Sequence, residues 1–267
     1  MSNIVNLQGR VAIVTGSSSG NGRAIALLLA TEGAYVVCSD IQPNVREGGS
    51  EQDLTPTHEV ITRNGRSVFQ KADVSSEEDM INLVERAVKE FGRLDIFVNN
   101  AGIFCGLNDI VGEPVSAFDK TMLVNARGVF LGMKYAITQM MKQEPRTSGE
   151  RGWVVNIGSI ASTCGLAGET SYCASKGAVA MLTRAVAIDY APHKIHVNAV
   201  CPGFISTAMV NPYLAQDEMK KALHATTPWP NLGTPQDVAK AVLVLSSDAA
   251  SWMTGNLLSV DGGFTAQ

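Results

Sequence analysis

RVAIVTGSSSGNGRAIALLLATEG, residues 10–33, decides the architecture of this chain. It opens on a short β-branched run, turns through glycines and serines, and continues as an apolar-periodic segment that stops at Gly33. Such a stretch reads as strand, tight turn, helix. The alternation then repeats. AYVVCSD (34–40) is a second strand, RSVFQKADV (66–74) a third after an intervening helix, and LDIFVNNAG (94–102) a fourth after the amphipathic MINLVERAVKEF (80–91). A long helical stretch from about Ser116 to Met141 leads to the strand GWVVNIGS (152–159). A helix from about Tyr172 to Tyr190 leads to KIHVNAV (194–200), and a last helix near Val238 to Leu245 precedes LLSV (257–260). Seven β-rich runs, apolar almost throughout and separated by helices, predict an α/β chain with one parallel sheet covered on both faces.

Two segments break the alternation. QPNVREGGSEQDLTPT (42–57) carries prolines, glycines and charges and reads as a surface insertion after the second strand. The stretch from Pro202 to about Leu232 contains Pro202, Pro212, Pro228 and Pro230 and has little periodicity. Long irregular segments inside compact folds are usually functional, often lids. No repeat or linker divides the chain, so residues 1–267 are expected to form a single domain.

The bulk composition narrows the function. A net charge of −4 gives no basic face for nucleic acid. No run approaches the roughly 18 apolar residues of a membrane span, and MSNIVNLQGR lacks the apolar core of a secretory signal. A soluble, cytoplasmic chain without nucleic-acid or membrane partners is expected. The five cysteines, Cys38, Cys105, Cys164, Cys173 and Cys201, are odd in number and form no CxxC pair. This argues for reduced, mostly buried thiols rather than disulfides or zinc. His193 and His196 straddle a helix end and a strand start with no acid or thiol set nearby, so no metal is expected.

TGSSSGNG places Gly16, Gly20 and Gly22 at a strand-to-helix turn, where the backbone must bend sharply and a ligand can approach closely. Helix N-termini offer free N–H groups and a positive dipole to a pyrophosphate. A plain glycine-rich turn is the bland alternative. Asp40 weighs against it: the residue closes the second strand about 20 residues on, where a carboxylate accepts from both ribose hydroxyls and repels a 2′-phosphate, favouring NAD over NADP.

TGSSSGNG, Asp73 with Val74, NNAG (99–102), Ser159, YCASK (172–176) and Pro202–Gly203 occur in that order. Together, over essentially the whole chain, they resemble the short-chain dehydrogenase/reductase family. The resemblance implies a doubly wound, Rossmann-type sheet and an NAD(H)-dependent oxidoreductase that interconverts a secondary alcohol and a ketone by hydride transfer at nicotinamide C4. It implies that Gly16, Ser18, Gly20, Asn21 and Gly22 bind the pyrophosphate end of the cofactor, with Asp40 on the ribose and Asp73 and Val74 on the adenine. Asn100, Ala101 and Gly102 line the cofactor pocket, while Pro202, Gly203, Ile205 and Thr207 reach the nicotinamide end. Tyr172 and Lys176 also touch the cofactor.

The same resemblance makes Asn125, Ser159, Tyr172 and Lys176 the catalytic set. Tyr172 and Lys176 stand four apart, so both project from one helix face. A phenol with an ordinary pKa near ~10 is a poor base at neutral pH, and a neighbouring ammonium together with an oxidised nicotinamide ring favours its phenolate. Ser159 would hold the substrate oxygen beside that phenol. Asn125 would help keep a water near the lysine. A family base that selects NADP precedes the second glycine, and here that position is Ser19, so Arg23 is not read as a phosphate partner. Asn21 departs from the family's usual apolar residue between the glycines.

Other readings keep the same fold: an NADP(H)-dependent carbonyl reductase, a catalytically silent nucleotide-binding scaffold, or an isomerase- or dehydratase-like use of the site. Substrate identity is expected to reside after Pro202, after Gly102 and near residues 164–169. Relatives imply a homo-oligomer, tetramer or dimer, and Val129, Phe130, Met133 and Met140 on the long helix are compatible with either an interface or internal packing.

Overall fold

A computed structural model of the chain describes residues 5–267, so the first four residues of MSNIVNLQGR lie outside it. The strands are β1 Val11–Thr15, β2 Tyr35–Asp40, β3 Ser67–Lys71, β4 Ile96–Asn99, β5 Gly152–Ile157, β6 Ile195–Pro202 and β7 Leu257–Val260. They pair in the order β3-β2-β1-β4-β5-β6-β7, every neighbour parallel. The order reverses between β1 and β4, which opens a crevice beyond their carboxyl ends, the place where open α/β sheets take ligands.

The helices are α1 Gly20–Thr31, α2 Thr57–Thr62, α3 Glu77–Phe91, α4 Val115–Met122, α5 Gly128–Met141, α6 Thr170–Tyr190, α7 Asn211–Leu214, α8 Asp217–Ala225 and α9 Pro235–Leu245. On one face of the sheet Ile25 and Leu29 of α1 pack with Val238 and Val242 of α9. On the other, Met80 and Leu83 of α3 meet Met133 and Met140 of α5 and Val179 of α6. Every residue of β1, β4 and β5 is buried, which is why these strands read as continuous apolar runs rather than alternating ones. At the opposite end of the sheet from the crevice, Asp95 is fully buried between Arg93 (2.7 Å) and Arg146 (2.5 Å).

Three expectations need correction. The stretch from Ser116 to Met141 is not one regular helix: residues Leu123–Arg127 form a π-helical turn between α4 and α5. Inserted π turns are a recurrent device at functional sites, and this one carries Asn125. The segment 202–232 contains α7 and α8, too short and too exposed to show an apolar period. Asp73 and Val74 lie on the turn into α3, which Ser76 caps, its hydroxyl accepting from Asp79 N at 3.2 Å. Only Cys38 and Cys201 are buried; Cys105 is exposed, and Cys164 and Cys173 are half-buried. Among the described residues no helix is long and apolar enough to cross a membrane, and no cluster of three or more His, Cys, Asp or Glu could hold a metal.

Candidate active site

β1 ends at Thr15 and the chain turns at Gly16, whose φ of 63° is left-handed. A Cβ on Gly22 would stand 2.1 Å from the Gly16 carbonyl oxygen, so only glycine lets α1 start this close to the strand. The turn is clamped from below by the segment after β4. Asn100 Nδ2 donates to Thr15 O (2.8 Å) and Gly16 O (3.1 Å). Thr15 Oγ1 accepts from the N–H groups of Asn100 (3.0 Å) and Ala101 (3.1 Å). Asp40, at the tip of β2, receives Ser18 N–H on Oδ2 at 3.1 Å and Ile41 N–H on Oδ1 at 2.8 Å. This places its carboxylate at the side of the glycine turn. Thr207 approaches from the opposite wall, its methyl 3.4 Å from where a Cβ on Gly20 would be.

The insertion after β2 folds back over this turn. Arg23 holds it, donating to Thr55 O (2.7 Å), Asp53 O (2.8 Å) and Thr57 Oγ1 (3.1 Å). Its guanidinium is thereby committed to the loop, in keeping with the reading that it is no phosphate partner. The same loop delivers Glu51, whose Oε1 accepts from Gly20 N at 2.5 Å, while its Oε2 and Asn21 Oδ1 are buried with no partner among the described residues. A carboxylate at the amino end of α1 uses the same N–H and dipole that a phosphate oxygen would use. The glycine turn, Asp40 and the NNAG segment therefore fit a dinucleotide. Nothing in the sequence signalled Glu51, because its position depends on how a structureless loop folds.

The hydroxyl-bearing side chains gather at the carboxyl end of β5. Ser159 starts a short 3-10 turn, Ile160–Ser162, and its hydroxyl accepts from Ala161 N at 3.1 Å. Tyr172 and Lys176 lie on the first turns of α6. Lys176 is buried, donates to Ile157 O at 2.8 Å and stands 5.6 Å from the centre of the Tyr172 ring. Burial pushes the Tyr172 phenol up to about 12, opposed by a hydrogen bond from Ser159. Burial also pushes the Lys176 ammonium down to about 8. In the protein without cofactor, desolvation dominates both groups and favours the neutral phenol and the neutral amine.

Asn125 is fully buried in its π turn. Its Oδ1 accepts from Ile103 N (2.8 Å), and its Nδ2 donates to Ile103 O (2.9 Å) and Ser175 Oγ (3.1 Å). The side chain therefore braces the segment after NNAG against α6. Asp73 accepts from Ser75 N (2.9 Å) and Ser75 Oγ (2.7 Å) on the turn into α3, while Val74 is buried against Gly128. Pro202 ends β6, Gly203 donates to Val260 O (3.0 Å), and Ile205 is buried beside Gly233.

Ser159 and Tyr172 open together onto a cavity of about 130 Å³. Phe104 stands edge-on to Tyr172 at 5.4 Å and to Tyr213 at 6.0 Å, and Leu166, Phe204, Met209 and Met219 complete the apolar walls. Sequence reasoning assigned no role to Phe104, although it lies in the loop after Gly102 that was expected to matter. A larger cleft of about 600 Å³ behind Phe204 contains neither Ser159 nor Tyr172.

Known proteins resemble this chain in sequence and fold. A family model described as enoyl-(acyl carrier protein) reductase matches residues 16–265. A 2-(R)-hydroxypropyl-CoM dehydrogenase of Xanthobacter autotrophicus is 40% identical over 261 residues, spanning 96% of this chain and 99% of its own. A short-chain type dehydrogenase/reductase of Mycobacterium marinum superposes with a TM-score of 0.88 at 30% identity, covering 99% of both chains. The chain belongs to the short-chain dehydrogenase/reductase family. It is accordingly an oxidoreductase acting on CH–OH groups with a nicotinamide cofactor. A solved neighbour of this dehydrogenase, a putative 2-deoxy-D-gluconate 3-dehydrogenase of Agrobacterium tumefaciens with bound NADP, has a TM-score of 0.84 and 33% identity, with full coverage of both chains.

Proposed function

We propose that the protein is an NAD(H)-dependent dehydrogenase interconverting a secondary alcohol and a ketone, with Tyr172 exchanging the proton. The observation that carries this reading is the convergence of the Ser159 and Tyr172 hydroxyls on one apolar cavity, with Lys176 directly behind the ring. Ser159 donates to the carbinol or carbonyl oxygen and fixes it beside the phenol. In the oxidative direction Tyr172 takes the hydroxyl proton; in the reductive direction it gives one back. Lys176 supplies positive charge behind the phenol, which lowers the cost of its phenolate. Nicotinamide, when bound, accepts or supplies the hydride. Asn125 acts by position, holding Ile103 against α6 so that the cavity and the lysine keep their spacing. The segment 202–232, with Met209, Tyr213 and Met219 over the cavity, serves as the substrate lid.

Asp40 supports NAD over NADP, since a carboxylate beside the glycine turn would meet a 2′-phosphate with like charge. The NADP-bound Agrobacterium relative is the reason to keep NADPH as the competing reading. The exposed apolar residues Val115, Phe118, Phe130, Met181 and Ile188, on α4, α5 and α6, support a homo-oligomer, a dimer or tetramer. Of the four long-helix residues considered from sequence, only Phe130 faces outward; Val129, Met133 and Met140 are core. The test is parallel titration of NADH and NADPH by fluorescence and thermal shift, followed by a panel of ketones and alcohols. Tighter NADH binding with turnover upholds the reading; binding without turnover favours the silent scaffold.

A further inference from the structure

The cavity at Tyr172 holds one carboxylate that the mechanism does not use. Glu169 precedes Tyr172 by three residues, so the two lie on the same side at the start of α6, and both line the cavity. Its backbone is fixed from two directions. Residue 169 bridges to Asn108, and its carbonyl accepts from Cys173 N at 2.8 Å. The carboxyl group is half-buried, and among the described residues no hydrogen bond or ion pair reaches it. The fully buried Asp95, by contrast, has two arginines and the Val11 N–H, at 2.9 Å.

The cavity lining contains no arginine, lysine or histidine, and nine of its fourteen residues carry apolar or aromatic side chains other than tyrosine. A half-buried carboxyl on such a wall keeps contact with water in the cavity and, once a substrate displaces that water, is best satisfied by a donor on the bound molecule. Size narrows the choice further: about 130 Å³ is close to the ~150 Å³ of an apolar cavity that binds benzene.

We propose that Glu169 selects the substrate: the pocket takes a neutral, ring-sized secondary alcohol or hydroxyketone whose second hydroxyl donates to the Glu169 carboxyl, and it rejects molecules bearing a carboxylate, sulfonate or phosphate. This rests on the reading of Ser159 and Tyr172 as the reacting pair. Glu169 is a specificity residue that touches the substrate away from the reacting carbon. Hydrogen bonds to charged groups are worth about 1.5–3 kcal/mol, roughly tenfold to hundredfold in affinity.

The test compares cyclohexane-1,2-diol, cyclohexanol and 2-hydroxycyclohexanecarboxylate with NAD as oxidant. For the unaltered enzyme, kcat/KM for the diol should exceed that for cyclohexanol about tenfold, and that for the carboxylate about a hundredfold or more. Glu169→Leu should bring diol and cyclohexanol to within about twofold, and Glu169→Gln should recover the carboxylate about tenfold. Thermal shift of the NADH-bound protein, with and without each compound, reads the same preference without turnover. Equal use of carboxylate and diol by the unaltered enzyme, or ratios unmoved in both well-folded variants that still bind NADH, would overturn the assignment. Tyr172→Phe separates the two claims: turnover that survives it counts against the underlying reading, whereas the ratios with Tyr172 intact test Glu169 alone.

Discussion

At the dinucleotide end of the site, one amide, Asn100, ties down two carbonyls of the glycine turn, and the Thr15 hydroxyl accepts two backbone N–H groups. At the substrate end, the walls are the rings of Phe104 and Tyr213 and the side chains of Leu166, Met209 and Met219. The first region is backbone geometry fixed by short-range hydrogen bonds. The second is side-chain shape contributed by three separate segments, one of which carries α7 and α8. Close backbone packing leaves few residue types possible at each position, whereas an apolar wall accepts many, so one region can be shared widely across a family while the other sets the substrate.

This contrast can be sharpened at the dinucleotide end first. Asp40→Ala removes the carboxylate beside the turn and leaves the Asn100 clamp in place. The ratio of NADPH to NADH affinity should rise by about one to two orders of magnitude. An unchanged ratio in titrations of the two nucleotides would mean that Asp40 only braces Ser18.

Lys176 tests the other side of the comparison, because it joins the two regions. Its folded pKa, about 8, lies below the ordinary lysine value, so the unfolded chain holds more protons above pH 8. The stability deficit is full below pH 8 and is relieved as pH rises. The buried Tyr172, pushed up to about 12, acts oppositely above pH 10, since the folded form then holds the extra proton. In protein without cofactor, Lys176→Met should therefore raise stability by about 2 kcal/mol at pH 7, after allowing for the lost bond to Ile157 O. The advantage should shrink between pH 8 and 10. A destabilised variant at pH 7 in denaturant titrations would contradict the burial argument.

A smaller effect is expected at Glu51. Its carboxylate and a phosphate oxygen compete for the Gly20 N–H, so Glu51→Gln should tighten NADH binding about threefold to fivefold. Weaker binding in the same fluorescence titration would place Glu51 among the groups that hold the cofactor.

How much was legible in the sequence follows the same division. The seven strands and their parallel order were readable because buried strands are apolar throughout, and the glycine turn because a close approach excludes every side chain at Gly22. Ser159, Tyr172 and Lys176 come together as their resemblance to the family implied. Asn125 was located but its contacts were not, since a π turn changes which way a side chain points and has no signature in apolar spacing. Phe104, Glu51 and the unpaired state of Glu169 depend on the paths of loops 41–56, 103–114 and 202–232. These paths are set by tertiary contacts such as Arg23 to Thr55 O and Asn211 Nδ2 to Gly48 O (2.9 Å), which local pattern does not encode.

The most direct test of the central claim is Tyr172→Phe, measured for NADH binding and for turnover on one preparation. The variant keeps the ring that Phe104 packs against and loses only the hydroxyl. NADH affinity should stay within about twofold of the unaltered protein, and turnover should fall by about three orders of magnitude or more. Retained turnover would contradict the assignment of Tyr172 as the proton-exchanging group.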